Sequence, residues 1–262
     1  MTASLVTASP LALVQQKWPD RVKGSYQFQG HEAAVVERTH LGKLAQFLRD
    51  DPDLGMDLLM DAAGVDRMGL PGAETCRFEM VYQFYSTAKN HRLCLKVPVP
   101  EEDPRVDSLS SLWRSADWME REAFDQYGIR FRGHPNLKRV LNHHEFKGHP
   151  LRKDYPIKRR QALSENDSLE DEMMQRVNAL GLERQPEWMA LNLGPSHPAS
   201  HGTLRTLVMV DGEKIRAAVA EIGYLHRGFE KSCECHTYTQ CITYTDRLNY
   251  CSAILNNIGF AK

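Results

Sequence analysis

The sequence predicts an α+β protein with two domains, and three observations lead to this prediction. Strand and helix patterns are mixed without the regular strand–helix–strand repeat of a parallel α/β fold. A basic stretch punctuated by proline interrupts them between residues 129 and 160, and strand signals begin again at residue 187. We therefore expect an N-terminal extension, a first domain, a linker and a second domain, at residues 1–29, 30–156, 157–186 and 187–262.

Composition and charge narrow the class of protein. The 262 residues are 26% charged and 42% hydrophobic, and the net charge is −1. Phosphate binding needs a concentrated basic surface, so no nucleic-acid partner is expected. The apolar runs are shorter than the roughly 18 residues of a membrane span, and the first residues lack the positive region of a signal peptide. We expect a soluble, intracellular chain with a frayed N-terminus.

The first domain shows its patterns in a clear order. EAAVVER predicts a strand, HLGKLAQFLRDD a helix and MDLLMDAAGV a second strand. Apolar alternation on both sides of a polar turn at Ser86–Asn90 predicts a β-hairpin over residues 76–99. Helical spacing from Leu109 to Ala123 predicts a helix that stops at Gly128. We expect the charges of its EREAFD motif to pair along the helix.

The tail and linker have weaker patterns. The basic tail repeats Gly-His-Pro and has little periodicity, so we expect it to lie on another surface rather than to build a core. In the linker, Ser168 with Asp171 is a possible capping box for a short helix that ends before Gly181. A solvated coil explains the same linker residues equally well.

The second domain begins with a strand signal in WMALNLG and a hairpin signal in TLRTLVMVDGEKIRAAVAEIG. Asp211-Gly212 is a favoured two-residue turn for that hairpin. Two helical patterns follow, and the last places Leu248, Cys251 and Leu255 on one face. Such a unit buries little surface, so we expect either a fragment or a domain that another chain completes.

The cysteines predict no metal site. None of the six stands at C-x-x-C spacing, which argues against a zinc ribbon or a four-cysteine iron–sulfur site. A disulfide framework is not expected in a signal-less chain of this length. We expect most of them to be small buried hydrophobic residues. The six are Cys76, Cys94, Cys233, Cys235, Cys241 and Cys251.

The stretch LNLGPSHPASHG, at residues 191–202, holds two histidines among prolines and glycines. His197 and His201 have the four-residue spacing of a helical zinc site, but Pro198 and Gly202 indicate a turn, and the glutamate of H-E-x-x-H is missing. Spacing alone leaves two interpretations. The loop is either an ordinary hydrogen-bonding surface or a support that offers an imidazole to a ligand.

Two later segments add side chains of similar chemistry. His226 stands beside Arg227, and Tyr250 follows Asp246 and Arg247. Imidazole, phenol and guanidinium together would suit a ligand with two carbonyl oxygens that gains protons as it gains electrons. A half-buried helix aromatic and a surface ion pair explain the same residues, and spacing does not choose between these interpretations.

These segments together resemble a known family. WMEREAFDQYGIRFRGHPNLKRVL with GHPLRKDYP is similar to the 30-kDa (C) subunit of respiratory complex I, the proton-pumping NADH–quinone oxidoreductase, over about residues 30–157. LNLGPSHPASHGTLR, EIGYLHRGFEK and TYTDRLNY resemble the start of its 49-kDa (D) subunit over about residues 187–262. Their order resembles the fused C/D subunits of some bacteria, with most of the D part absent.

The resemblance implies a site for a quinone. The second domain, which is hydrogenase large-subunit-like, would form one wall of the headgroup pocket, where His201 and Tyr250 hydrogen-bond the quinone and act in catalysis. Arg227 takes the place of an arginine close to a tetranuclear iron–sulfur cluster in a partner subunit, and His197 would shape the loop. Asn249 stands where the family usually has aspartate, which removes a possible charge near the pocket.

The resemblance also implies partners and a location. Quinone would be the substrate, the whole complex would use NADH, and this chain would bind no metal or iron–sulfur cluster itself. The expected partners are the iron–sulfur B subunit, the I subunit and the membrane H and A subunits. The chain would be peripheral, at the cytoplasmic face of the bacterial inner membrane, associated with the membrane only through the complex. The first domain would be a scaffold, and its basic tail would lie across neighbouring subunits through Tyr155.

Two alternatives remain. An energy-converting hydrogenase-like subunit would need paired cysteines for nickel, and only Cys251 lies near RLNYCS. A non-catalytic assembly subunit would keep its docking surfaces without reducing quinone, and the presence of His201 and Tyr250 argues against it.

Overall fold

The computed structural model describes residues 9–162, 168–200 and 202–262. Their contacts divide the chain into two compact units. The first unit contains the residues up to Arg139 together with Arg152–Asp154, and the second contains Val140–Leu151 and the residues from Tyr155 onwards. No described helix is long and apolar enough to cross a membrane.

A five-stranded mixed sheet forms the centre of the first unit. The strand order is β1-β2-β5-β4-β3, and every neighbouring pair is antiparallel except β2–β5. The strands are β1 (Val22–Phe28), β2 (His31–Val36), β3 (Leu58–Asp66), β4 (Phe78–Ser86) and β5 (His91–Val99). A short parallel pair, β6 (Arg105–Asp107) and β7 (Arg130–Arg132), lies apart from this sheet. The helices are α1 (Pro10–Lys17), α2 (Leu41–Asp50) and α3 (Ala116–Tyr127).

The core of the first unit is formed by apolar residues that repeat with the period of a strand in β4 and with the period of a helix in α2. Alternate residues of β4 point inward, as the two-residue period of a strand requires, and Phe78, Met80, Tyr82 and Phe84 are fully buried. Helix α2 buries a stripe at the spacing of one helical face, formed by Leu41, Leu44, Ala45 and Leu48. The predicted strands, hairpin and helix of this domain are therefore confirmed, with the hairpin turn between Ser86 and His91.

Two regions of the first unit differ from the prediction. Residues 10–28, assigned to an N-terminal extension, form α1 and β1, and β1 pairs with β2 along its length. The helix predicted from Leu109 begins only at Ala116, because residues 109–115 form turns, and it ends at Gly128 with φ +80°. Glycine tolerates this left-handed conformation, so the predicted stop is confirmed.

The EREAFD charges bind neighbouring segments. Glu120 is fully buried and accepts hydrogen bonds from the Ser108 hydroxyl and the Leu109 backbone N–H, both at 2.6 Å. Asp125 is also fully buried and lies 2.7 Å from a guanidinium nitrogen of Arg139. The prediction paired these charges with one another along the helix. Instead, the buried carboxylates fix adjoining loops, because a buried charge needs partners.

Part of the basic tail is anchored to the first unit. Asp154 and Asp66 both bind the Arg77 guanidinium at 2.8 Å, and the Lys153 backbone N–H donates to Asp66 at 2.8 Å. Arg152 donates to the Tyr127 carbonyl at 2.7 Å. The tail was expected to lie across neighbouring subunits through Tyr155, but these three residues pack on the chain's own first domain.

The second unit contains a three-stranded antiparallel sheet in the order β10-β9-β8. Its elements are α4 (Leu169–Ala179), β8 (Met189–Leu193), β9 (Arg205–Asp211), β10 (Lys214–Glu221), α5 (Phe229–Cys233), α6 (Tyr238–Thr245) and α7 (Ala253–Ala261). Leu169, Met173 and Val177 of α4 pack against the sheet, on Leu207, Met209, Ala217 and Val219. The helix of the predicted linker is confirmed and belongs to this core, although the Ser168 side chain forms no cap in the described chain.

Smaller predictions for the second unit have mixed outcomes. The strand and the hairpin are confirmed, but the two residues between β9 and β10 are Gly212 and Glu213, one position later than predicted. Leu248 and Leu255 are exposed and do not lie on a buried face.

The expectation that most cysteines are buried is wrong. Cys94 and Cys241 are buried, Cys76 and Cys233 are intermediate, and Cys235 and Cys251 are exposed.

Candidate functional site

The histidine-containing stretch is the loop that joins β8 to β9. The strands pair up to Leu193 and Thr206, and residues 194–204 lie between their ends. Gly194 has φ +89°, and a Cβ there would lie 2.0 Å from the Leu204 carbonyl oxygen. Only glycine fits so close an approach, so the two ends of the loop are held together at its base. We call residues 194–204 the histidine loop.

His197 takes part in the backbone of this loop. Its Nδ1 accepts a hydrogen bond from the Ala199 N–H at 3.2 Å, and its carbonyl accepts one from the Ser200 N–H at 3.0 Å. The side chain is exposed. These bonds are those of a turn, and the contribution of His197 to a quinone-binding loop stays a prediction. His201, the predicted quinone ligand, lies outside the described residues.

Four polar side chains meet at the base of the histidine loop. The Arg205 guanidinium donates to the Asn192 side-chain oxygen at 3.0 Å and to Glu221 Oε2 at 3.4 Å. The Tyr224 hydroxyl donates to the same Glu221 oxygen at 2.5 Å. Burial, followed by this bond and the charge of Glu221, raises the pKa of Tyr224. We call Asn192, Arg205, Glu221 and Tyr224 the loop-base cluster.

The LHRG segment (residues 225–228) follows Tyr224 of this cluster directly in the sequence. The His226 N–H donates to the Gly223 carbonyl at 2.9 Å, which turns the chain. A Cβ on Gly223 would lie 2.2 Å from the Leu141 carbonyl oxygen, so the tail packs closely against this turn. Arg227 is exposed, and Gly228, with φ +60°, begins α5. The exposed guanidinium is available to a partner or ligand.

Tyr250 begins a short 3-10 turn before α7. Its side chain is 50% exposed, and the Asn249 carbonyl before it accepts a hydrogen bond from the Asn256 side chain at 3.1 Å. The loop-base cluster, by contrast, is formed by residues that flank the histidine loop and the LHRG segment. The predicted meeting of Tyr250 with His201 involves a residue outside the described chain, and it stays a prediction.

One group of side chains approaches the spacing of metal ligands. The ligand atoms of His143, His144 and Glu145 lie within 4.8 Å of one another. Tetrahedral zinc with bonds near 2.0 Å needs ligands about 3.3 Å apart. His143 Nδ1 also accepts a hydrogen bond from the Glu145 N–H at 3.3 Å. The group as arranged is therefore not a formed metal centre.

Known proteins resemble both domains. Residues 34–161 match the family described as respiratory-chain NADH dehydrogenase, 30 Kd subunit. The first domain is similar to this family over those residues. The chain as a whole is 44% identical, over 89% of its length, to the C/D subunit of NADH-quinone oxidoreductase from Bdellovibrio bacteriovorus. It is 39% identical, over 86% of its length, to the C/D subunit from Chromohalobacter salexigens. The predicted resemblance to fused C/D subunits is confirmed.

The matches differ in how much they cover. The chain spans 40% of the length of each of these two relatives. Among solved structures, a trypsin-resistant fragment of Nqo5 is 31% identical to the chain, with a TM-score of 0.43, and the match covers 48% of this chain and 98% of the fragment. The family model thus covers the first domain, and the site in the second domain is interpreted from its own geometry.

Proposed function

We propose that the chain acts as a C/D-type subunit of a proton-translocating NADH–quinone oxidoreductase and that its second domain forms part of a quinone headgroup pocket. The observation that carries this proposal is the loop-base cluster, because it joins the histidine loop to the LHRG segment. Residues that flank the histidine loop and the LHRG segment are thus bonded to one another. The similarity to C/D subunits along most of the chain supports the same function.

The chemistry of quinone reduction explains these residue types. Two electrons that arrive one at a time place negative charge on the quinone oxygens, and hydrogen-bond donors already directed there stabilise that charge. His201 and Tyr250 would donate to the headgroup and supply protons. Arg227 would lie towards the electron donor, a tetranuclear iron–sulfur cluster of a partner subunit. In this proposal the whole complex takes its electrons from NADH, and this chain binds no metal.

The proposal places the chain within a larger assembly. The 30-kDa-type domain would be a scaffold, with the B, I, H and A subunits of the complex as neighbours. The chain would be peripheral at the cytoplasmic face of the inner membrane and would be held there by those subunits. The exposed Arg227 and the half-exposed Tyr250 support this view, because both side chains can reach groups outside the chain.

The deciding experiment changes His201 in the assembled complex. We expect His201→Ala to lower quinone reduction by about 100-fold or more, since a positioned proton donor contributes about that much. NADH oxidation by an artificial acceptor at the upstream flavin should persist. The matched control is His236→Ala, because His236 is an exposed histidine of the same domain whose ring bonds the Ser232 carbonyl in α5.

The results separate the candidate functions. Normal quinone reduction in a fully assembled His201→Ala complex would contradict the headgroup assignment and favour the assembly-subunit alternative. Loss of both activities would indicate failed assembly, so co-purification of the other subunits is measured first. Nickel in the purified complex would favour the hydrogenase-like alternative.

A further inference from the structure

The loop-base cluster has one atom that two donors share. Oε2 of Glu221 accepts from the Arg205 guanidinium at 3.4 Å and from the Tyr224 hydroxyl at 2.5 Å. Arg205 begins β9 directly after the histidine loop, and Tyr224 directly precedes the LHRG segment. The Glu221 carboxylate therefore links residues that adjoin the two segments of the proposed function, and the Arg205 guanidinium also hydrogen-bonds the Tyr224 hydroxyl.

The sheet register explains why these side chains meet. Glu221 is the last residue of β10 and pairs with Arg205, the first residue of β9. Asn192 lies on the neighbouring strand β8, opposite Leu207, so its side chain shares the sheet face of Arg205. The guanidinium thus ties the ends of three strands, and only 18% of the Arg205 side chain is exposed. A partly buried charge with two fixed partners resists local motion.

We propose that Glu221 is a positioning residue, which holds the histidine loop and the LHRG segment in a fixed relation so that a quinone headgroup meets donors already in place. This inference rests on the proposed function. Both segments are bounded by glycines with positive φ, Gly194 and Gly202 in the loop and Gly223 and Gly228 around LHRG. Such a chain is mobile unless side chains fix it, and ordering it only when quinone binds would weaken binding.

The test compares three variants of the full chain. Glu221→Ala removes the shared acceptor, whereas Glu221→Gln keeps an oxygen for both donors. Asp211→Ala is the matched control, because Asp211 binds Arg216 at 2.5 Å at the opposite end of the same hairpin. We expect Glu221→Ala to speed amide hydrogen exchange in residues 194–204 and 222–228 by about tenfold or more, as local opening becomes easier. Glu221→Gln and Asp211→Ala should leave exchange in these residues within about twofold of wild type.

The second readout is kinetic and uses the assembled complex. Glu221→Ala should raise the KM for quinone about tenfold and change kcat by less than about twofold, because pre-organisation is lost while the donors remain. Glu221→Gln should restore the KM. Unchanged exchange in Glu221→Ala overturns the inference, and so does faster exchange with an unchanged KM.

The failure of this inference differs from the failure of the proposed function. If His201→Ala abolishes quinone reduction while Glu221→Ala alters neither exchange nor KM, the pocket stands and the positioning role is wrong. If the His201→Ala complex reduces quinone at the normal rate, the assignment of the quinone pocket is wrong. This conclusion does not depend on the amide hydrogen exchange rates of the Glu221 variants.

Discussion

At the scale of single residues, burial changes the chemistry of Glu120 in the first domain. The carboxyl is fully buried, and burial raises its pKa to about 7 from the ordinary 4.5, against the lowering effect of its bonds from Ser108 and Leu109. The sequence places Glu120 in a charged helical motif and predicts that its charge pairs along the helix. Spacing along a helix does not reveal which loop will fold over a side chain, so this burial could not be predicted.

The raised pKa predicts how stability depends on pH. Between pH 4.5 and about 7 the folded domain keeps a proton on Glu120 that the unfolded chain has released. The folded state then binds more protons, so its free energy of unfolding falls as pH rises through this window. A shift of this size corresponds to about 3 kcal/mol. Urea unfolding of wild type and Glu120→Gln across the window measures this contribution.

Glutamine is the appropriate replacement because it keeps a side-chain oxygen for the Leu109 N–H and offers an amide N–H to the Ser108 hydroxyl. We expect Glu120→Gln to gain stability relative to wild type as pH rises from 4.5 to about 7. A constant difference between the two proteins over this range would show that Glu120 does not titrate there.

At the scale of elements, the sequence predicts those helices and strands that have a regular local pattern of apolar residues. The β4–β5 hairpin, helix α2 and the β9–β10 hairpin carry regular apolar patterns, and all three are confirmed. Helix α1 and strand β1 were missed, because β1 has a largely exposed pattern and gains its place only by pairing with β2. In the second domain, the turn of the histidine loop was predicted from Pro198 and Gly202. The loop-base cluster was missed, because pairing Arg205 with Glu221 requires the strand register.

The closure of the histidine loop predicts the effect of a substitution at Gly194. Alanine there must adopt φ near +89° and place its Cβ 2.0 Å from the Leu204 carbonyl oxygen. A left-handed alanine costs about 1–2 kcal/mol, and relieving such an overlap typically adds about 1–3 kcal/mol. We expect Gly194→Ala to destabilise the second domain by at least about 2 kcal/mol in chemical unfolding.

The control for this variant is Gly212→Ala in the β9–β10 turn. Gly212 also has a positive φ, +58°, but a Cβ there would meet nothing within 4 Å. Its cost should therefore be limited to the backbone conformation, about 1 kcal/mol. Equal destabilisation by the two substitutions would mean that the contact between Gly194 and Leu204 does not close the loop.

At the scale of the whole molecule, the two units bury their residues to different extents. The first has a large core built from a five-stranded sheet and helices, whereas the core of the second is limited to α4 and two strands. Helix α7 has no buried residue, and Ile254 and Leu255 are about 70% exposed. Helical spacing predicted an apolar face here, but periodicity cannot say what covers it. The candidate site thus lies on a domain with many exposed apolar side chains.

Tyr250 lies in this exposed part of the second domain, and the proposed pocket predicts the effect of removing its hydroxyl. Phenylalanine keeps the ring, which is half exposed, and removes one donor. A hydrogen bond contributes about 0.5–1.5 kcal/mol, so Tyr250→Phe should raise the KM for quinone by about 2–12-fold in the assembled complex, with kcat nearly unchanged. Tyr238→Phe is the control, because that side chain is 86% exposed at the start of α6. If both variants leave the KM unchanged, the Tyr250 hydroxyl does not bind the headgroup, and the donors of the site must be sought on the histidine loop alone.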